Sequence, residues 1–266
     1  MRDDDGAEAT GGFWGKRSIR IVAPVAAGLL AAGLAVGVTS ALHGSVPAEA
    51  RIPQPPAKNG LVVESDEGDD QTLLTNVVPS ESGVVRIRSA GGTDLGAGFV
   101  ITRSGFVLAA YHGLSGAGQL TARVLVSGKT YPARLVGSDP KANLALLQLA
   151  GGTAFKPVKI GTAADIRLND RVASAGGSWA AKGVMVSTGT IVAINTPILL
   201  DGQRLTGLLE VSSLAVPASE LGGPLFSLSG QVLGLSIARE TAQGNTNGYV
   251  MPIDSALQIA RQIAGQ

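Results

Sequence analysis

From Val84 to Met251, apolar residues arrive in short β-branched runs separated by glycine or small polar turns. Such runs are strand-length and bounded by turn residues, so this stretch reads as a succession of strands and tight turns. Val84-Val85-Arg86-Ile87-Arg88 alternates after its first residue. Phe99-Val100-Ile101 and Phe106-Val107-Leu108 flank Arg103-Ser104-Gly105, and Val124-Leu125-Val126 and Tyr131 to Val136 flank Ser127-Gly128-Lys129. Both read as hairpins. Leu144 to Leu149 is a run of the fully buried strand type. A second series follows at Arg171–Ser174, Val184–Ile194, Leu208–Val211, Leu225–Leu228, Val232–Ile237 and Tyr249–Met251. Pro252 stops it, and Ile253, Leu257, Ala260 and Ile263 then recur at helical spacing. The pattern predicts an all-β fold of two antiparallel barrels, about 80–155 and 165–252, closed by a helix at 253–264. The 37 glycines and 4% aromatic content agree with many turns. No tandem repeat at a fixed period interrupts it.

Ahead of this region the composition changes twice. Ile21 to Leu42 is an uncharged run of 22 residues, long enough for a helix to span a bilayer. Lys16, Arg17 and Arg20 precede it and no basic cluster follows, which predicts a cytoplasmic tail at 1–20 and an outer C-terminal part. The alternative is a signal peptide cut near Ala50, after the small-residue pattern Ala48-Glu49-Ala50. Both readings place residues 80–266 outside the cytoplasm. Gly33 and Gly37 form a small-xxx-small pair of the kind that packs helices together. Residues 43–79 hold Pro47, Pro53, Pro55, Pro56 and the acidic run Glu64 to Asp70, and read as an extended linker.

Composition excludes several function classes. With no cysteine there is no disulfide, thiol nucleophile or thiolate metal site. Two histidines, His43 and His112, are too few for a zinc site without carboxylates at a spacing the chain lacks, so no metal and no cofactor are expected. The net charge of +1 carries no nucleic-acid signature. Residues 43–72 hold six acidic and two basic side chains, whereas from Leu73 onward there are fifteen Lys/Arg against ten Asp/Glu. An acidic tether thus leads into a mildly basic domain.

Three segments stand in a telling order. The first is Gly96-Ala97-Gly98-Phe99-Val100-Ile101, followed by Gly105 to His112. The second is Gly137-Ser138-Asp139-Pro140-Lys141-Ala142-Asn143-Leu144-Ala145-Leu146-Leu147. The third is Glu220-Leu221-Gly222-Gly223-Pro224-Leu225, followed by Gly230-Gln231-Val232-Leu233-Gly234-Leu235. Together they resemble the trypsin-like serine proteases of the HtrA/DegP type, over about residues 80–264. The resemblance implies two trypsin-like Greek-key barrels with a cleft between them. It implies the base histidine at His112, the aspartate position at Asn143 and the nucleophile position at Leu221. It also implies an oxyanion-hole position at Ser219 and Leu221, in a cleft loop with Glu220, Gly222 and Gly223. No PDZ domain is expected before the chain ends at Gln266.

Two members of that triad carry the wrong chemistry. Serine attacks, histidine takes its proton, and a carboxylate orients and stabilises the imidazolium. Leu221 has neither a proton to give nor a lone pair to attack with. Loss of the serine in such a site costs on the order of 10⁶ in kcat, and an amide for the carboxylate on the order of 10⁴. Ser219 at a glycine position also disfavours the oxyanion-hole backbone. The expected function is therefore a membrane-anchored, extracytoplasmic pseudoprotease that binds a polypeptide or an envelope protein. Leu221 makes its cleft floor more apolar, and an edge strand is available for strand addition. Two alternatives stay open. One is an active serine endopeptidase with a displaced nucleophile, for which Ser212, Ser213 and Ser219 are nearest. The other is a structural subunit of a membrane complex, held through the 21–42 segment.

Overall fold

The computed structural model describes residues 20–21, 76–77, 83–151, 155–176, 185–212, 214, 221–242 and 245–265. Six strands close the first barrel: β2 (Val84–Ser89), β3 (Asp94–Val100), β4 (Phe106–Ala110), β5 (Leu120–Val124), β6 (Thr130–Asp139) and β7 (Leu144–Leu149). They are joined in the order β2-β3-β4-β7-β6-β5, with every pairing antiparallel.

The second sheet holds β8 (Arg171–Gly176), β9 (Met185–Leu200), β10 (Gln203–Ser212), β11 (Pro224–Phe226), β12 (Val232–Ala242) and β13 (Asn245–Pro252). Its order is β9-β10-β13-β12-β11-β8, and a β8–β9 pairing joins the ends. One helix, α1 (Ile253–Ala264), follows. The mostly β, two-barrel expectation with a terminal helix agrees with this architecture.

Strand β7 shows why the Leu144–Leu149 run is apolar at every position but Gln148. Ala145, Leu147 and Leu149 point into the first barrel with Val85, Ile87 and Val107. Leu144 and Leu146 point the other way, into a core shared with Phe226, Leu235, Ile237 and Tyr249 of the second barrel. A strand buried on both faces cannot alternate polar and apolar residues. Each fully buried leucine contributes about 1.5–3 kcal/mol. Helix α1 seals this shared core with Ile253, Ala256, Ala260 and Ile263. At Gly137 any Cβ would lie 2.7 Å from Ile263 Cγ2, so the first glycine of the second motif is where the helix docks.

Two details depart from the sequence reading. Arg86 does not point outward as alternation suggests: it is buried and lies 3.5 Å from Asp94, which also binds Arg88 at 2.8 Å. The second difference is in β9 and β10, which run well past Ile194 and start well before Leu208. Asn195, Pro197 and Gly207 all fall inside these two strands. In the fold, register shifts between Leu205 and Leu209 absorb them, and Asn195 and Gly207 take positive φ. The result is a long hairpin with Asp201-Gly202 at its tip.

Of the expected membrane segment, 21–42, only Ile21 lies within the described residues. Arg20–Ile21 forms a two-residue strand, β1, antiparallel to Leu199 and Ile198 of β9. Among the described residues no helix is long and apolar enough to cross a membrane.

Candidate functional site

The site lies where the ends of the first barrel's strands meet the second barrel. Strand β4 ends at Ala110, and the chain turns at once into a short 3₁₀ helix, His112–Leu114. Gly113 is needed in that turn, because a Cβ there would overlap the Leu95 carbonyl oxygen. Asn143 closes the β6–β7 turn with φ of +55°, a left-handed conformation that asparagine tolerates better than most residues. The turn is built by Asp139, whose Oδ1 accepts from the Ala142 N–H at 3.0 Å.

Asn143 is 4% exposed and both ends of its amide are spent on main chain. Oδ1 accepts from the His112 backbone N–H at 2.7 Å, and Nδ2 donates to the Ile237 carbonyl at 3.1 Å. The Tyr111 N–H donates to the Asn143 carbonyl at 3.1 Å. One side chain thus ties the histidine turn of the first barrel to β12 of the second. The donor half of the amide is what the Ile237 carbonyl requires, and an ionised carboxylate has none.

The His112 imidazole meets a different partner. Nδ1 lies 3.1 Å from Oδ2 of Asp201, at the tip of the β9–β10 hairpin. The two side chains are 39% and 35% exposed, so the pair sits at the cleft mouth in contact with solvent. A carboxylate accepting from Nδ1–H holds a neutral imidazole in the tautomer whose Nε2 carries the lone pair. Asp201 was absent from the sequence-derived site. Its signal was the Asp-Gly dipeptide: Asp201 and Gly202 have φ of +50° and +81°, and Leu200 pairs with Gln203. This is a two-residue hairpin turn with both central residues left-handed, which Asp-Gly favours.

The third motif forms the opposite wall. The Leu221 carbonyl accepts from the Ala97 N–H at 2.8 Å, and the Gly222 N–H donates to the Ser236 carbonyl at 2.6 Å. Gly222 has φ of +94°, and a Cβ on it would overlap the Ala97 carbonyl and approach Ala110 N at 2.9 Å. Gly223 returns the chain to β11 by accepting from the Ser236 N–H at 2.9 Å. The Leu221–Gly223 turn is therefore wedged against β3 and the end of β4, beside the strand that delivers His112. Leu221 itself is half-buried. Ser219, Glu220 and Ser213 lie outside the described residues. Ser212 points its hydroxyl at the Thr190 carbonyl, 3.5 Å away. Two more serines, Ser174 and Ser236, are buried with hydroxyls that lack a hydrogen-bond partner among the described residues.

Among the described residues the arrangement supplies an imidazole held by Asp201, and the turn at residues 221–223 carries no nucleophilic side chain. Among the described residues no group of three or more His, Asp or Glu side chains is placed to hold a metal ion.

Residues 96–235 match the family described as "Trypsin-like peptidase domain". The chain is 28% identical over 178 residues to a probable periplasmic serine endoprotease DegP-like of Pseudomonas fluorescens, covering 66% of this chain and 36% of that protein. It is 25% identical over 219 residues to the serine protease PepD of Mycobacterium tuberculosis, covering 74% of this chain and 46% of that one. It thus spans less than half the length of these relatives. In fold it resembles the HtrA-type protease AlgW with decapeptide, at TM-score 0.63 and 21% identity, covering 72% of this chain and 67% of that one. It also resembles the MamO protease domain of Magnetospirillum magneticum, at TM-score 0.60 and 21% identity, covering 67% of this chain and 96% of that one.

Proposed function

Because the chain belongs to the trypsin-like peptidase domain family, we propose that it is a catalytically silent member, a pseudoprotease that binds polypeptide outside the cytoplasm. The carrying observation is Leu221 in the turn whose Leu221 carbonyl and Gly222 lie against Ala97 and Ala110. The close fit of Gly222 against the Ala97 carbonyl and Ala110 N supports this register, with Leu221 as the residue before it. An alkyl side chain there supplies binding surface and no chemistry. The periplasmic relative supports an extracytoplasmic placement, and the peptide-bound HtrA-type neighbour supports a polypeptide ligand.

We extend the reading to a membrane anchor at 21–42. A span beginning at Ile21 and the pairing of Ile21 with Ile198 exclude each other, so anchoring opens that pairing. Extraction of the membrane fraction with alkaline carbonate tests the anchor: release into the soluble fraction rules it out.

The second reading, a hydrolase with a displaced nucleophile, has one observation in its favour. His112 retains a carboxylate on Nδ1 although the nucleophile position is a leucine. Labelling of the full chain with a fluorophosphonate, with casein as substrate, separates the two. A silent wild type that still retains unfolded casein on a column supports the pseudoprotease. Labelling of the wild type refutes it, and mapping the labelled serine then gives the nucleophile.

A further inference from the structure

A second cleft opens beside the site, between the β6–β7 turn, the start of β10 and helix α1, with a volume of about 290 Å³. Its floor is apolar, formed by Leu205, Leu208 and Met251, all buried, with Ile259 alongside. Its rim is charged. Lys141 stands on the turn and Arg204 on the hairpin, both exposed, and neither has a carboxylate partner among the described residues. Asp139 also lines the cleft, with Oδ1 already accepting from the Ala142 N–H. Asp254, on the first turn of α1, is engaged elsewhere, by Thr162 Oγ1 and the Ala163 N–H. The rim therefore carries two cations against one anion.

A volume at the small end of ligand pockets suits one residue-sized group rather than a folded partner. An apolar floor under a rim with one net positive charge selects a ligand that is apolar at one end and singly anionic at the other. We propose that this cleft binds an amphipathic monocarboxylate, its apolar group on Leu205, Leu208 and Met251 and its carboxylate between Lys141 and Arg204. The carboxylate has two possible sources, a small free acid or the C-terminus of a polypeptide. Either would bridge the two segments that also hold His112: Lys141 lies in the turn that ends at Asn143, and Arg204 in the hairpin tipped by Asp201. The proposal does not depend on Leu221 silencing the enzyme.

Calorimetric titration of the full chain with three probes tests it: N-acetyl-leucine, a leucine-ended decapeptide with a free carboxyl, and the same decapeptide amidated. Both free acids bind, and amidation weakens the decapeptide by about tenfold or more, the scale of a charge-assisted hydrogen bond. Equal affinity of the two acids identifies a small-acid site, and a tighter decapeptide identifies a C-terminus site. Lys141→Ala/Arg204→Ala abolishes binding of both acids. Both residues are exposed, so an unchanged melting temperature shows that the variant is folded. Lys141→Arg, which keeps the charge, retains binding and guards against misreading a lost fold. The proposal is overturned if the amide binds as well as the acid, if the folded double variant binds as the wild type does, or if neither acid binds at millimolar concentration.

Discussion

Replacing Asn143 by aspartate restores the residue expected in an active relative, yet in this fold it should destabilise the protein. The new carboxylate keeps the bond from the His112 N–H, made at 2.7 Å by Oδ1 in the wild type. That bond gains charge assistance, a benefit of about 1 kcal/mol. The Nδ2 donor to the Ile237 carbonyl is lost, and a carboxylate oxygen then faces that carbonyl. An unsatisfied buried acceptor costs about 1–3 kcal/mol, and burying an ion without a counter-charge adds a few kcal/mol more. The net penalty is about 3 kcal/mol at neutral pH, which lowers Tm by about 6–12 °C in a chain of this size. Burial and the facing carbonyl hold the new carboxyl protonated in the fold to a higher pH than in the unfolded chain, where it titrates near 3.9. The protonated acid can donate to Ile237. The penalty is therefore largest at neutral pH and shrinks as pH falls toward about 4. The assay is thermal and urea denaturation of wild type and Asn143→Asp at pH 7 and pH 4.5. Equal stability at pH 7, or a gap that widens in acid, refutes this reasoning. Either result would mean that the carboxylate has captured the His112 imidazole and drawn it from Asp201.

Four further outcomes follow from the same geometry. Gly222→Ala forces a Cβ into the Ala97 carbonyl at φ of +94°; it should cost more than about 3 kcal/mol, and a denaturation midpoint within error of wild type would contradict the wedge. Asp201→Asn removes a partly exposed pair and should change stability by less than about 1 kcal/mol while shifting the His112 ring resonances in NMR; unshifted resonances would show that the pair does not persist in solution. Tyr249 is buried beside Glu210 and Glu240, with its hydroxyl donating to Glu240 at 3.2 Å, and burial first, then those two charges, raise its pKa far above the ordinary range. The stability held in the neutral phenol is present below about pH 10 and lost as pH rises further, so the wild type should lose stability above pH 10 more steeply than Tyr249→Phe, and parallel curves would contradict this. Leu221→Ser alone should leave fluorophosphonate labelling at least about 10³-fold below that of an intact triad, since the residues of such a site act as one unit; full-rate labelling would show that Asp201 replaces the missing aspartate.

Much of the fold was legible because barrel strands announce themselves locally. Glycine-punctuated β-branched runs located β3, β4 and β12, the leucine-rich run located β7, and the helical spacing after Pro252 located α1. The β9–β10 hairpin runs beyond the apolar runs Val184–Ile194 and Leu208–Val211, through Asn195, Pro197 and Gly207. Whether a bulge absorbs them depends on the partner strand, which a local pattern does not contain.

The candidate site divides along the same line. The chain's own letters determined that residue 221 is a leucine, that residue 143 is an amide and that no cysteine is present. What a side chain is able to do chemically is a property of its atoms, so those absences hold in any fold. Which groups meet was decided only by the tertiary structure. It set the Asn143 amide between the His112 N–H and the Ile237 carbonyl, brought Asp201 to the imidazole, and placed Lys141 and Arg204 on two lips of one cleft. Each of these meetings joins the first barrel to the second. Their distances depend on how two separately closed sheets pack and on how far one hairpin reaches, sums over many residues that no single motif encodes.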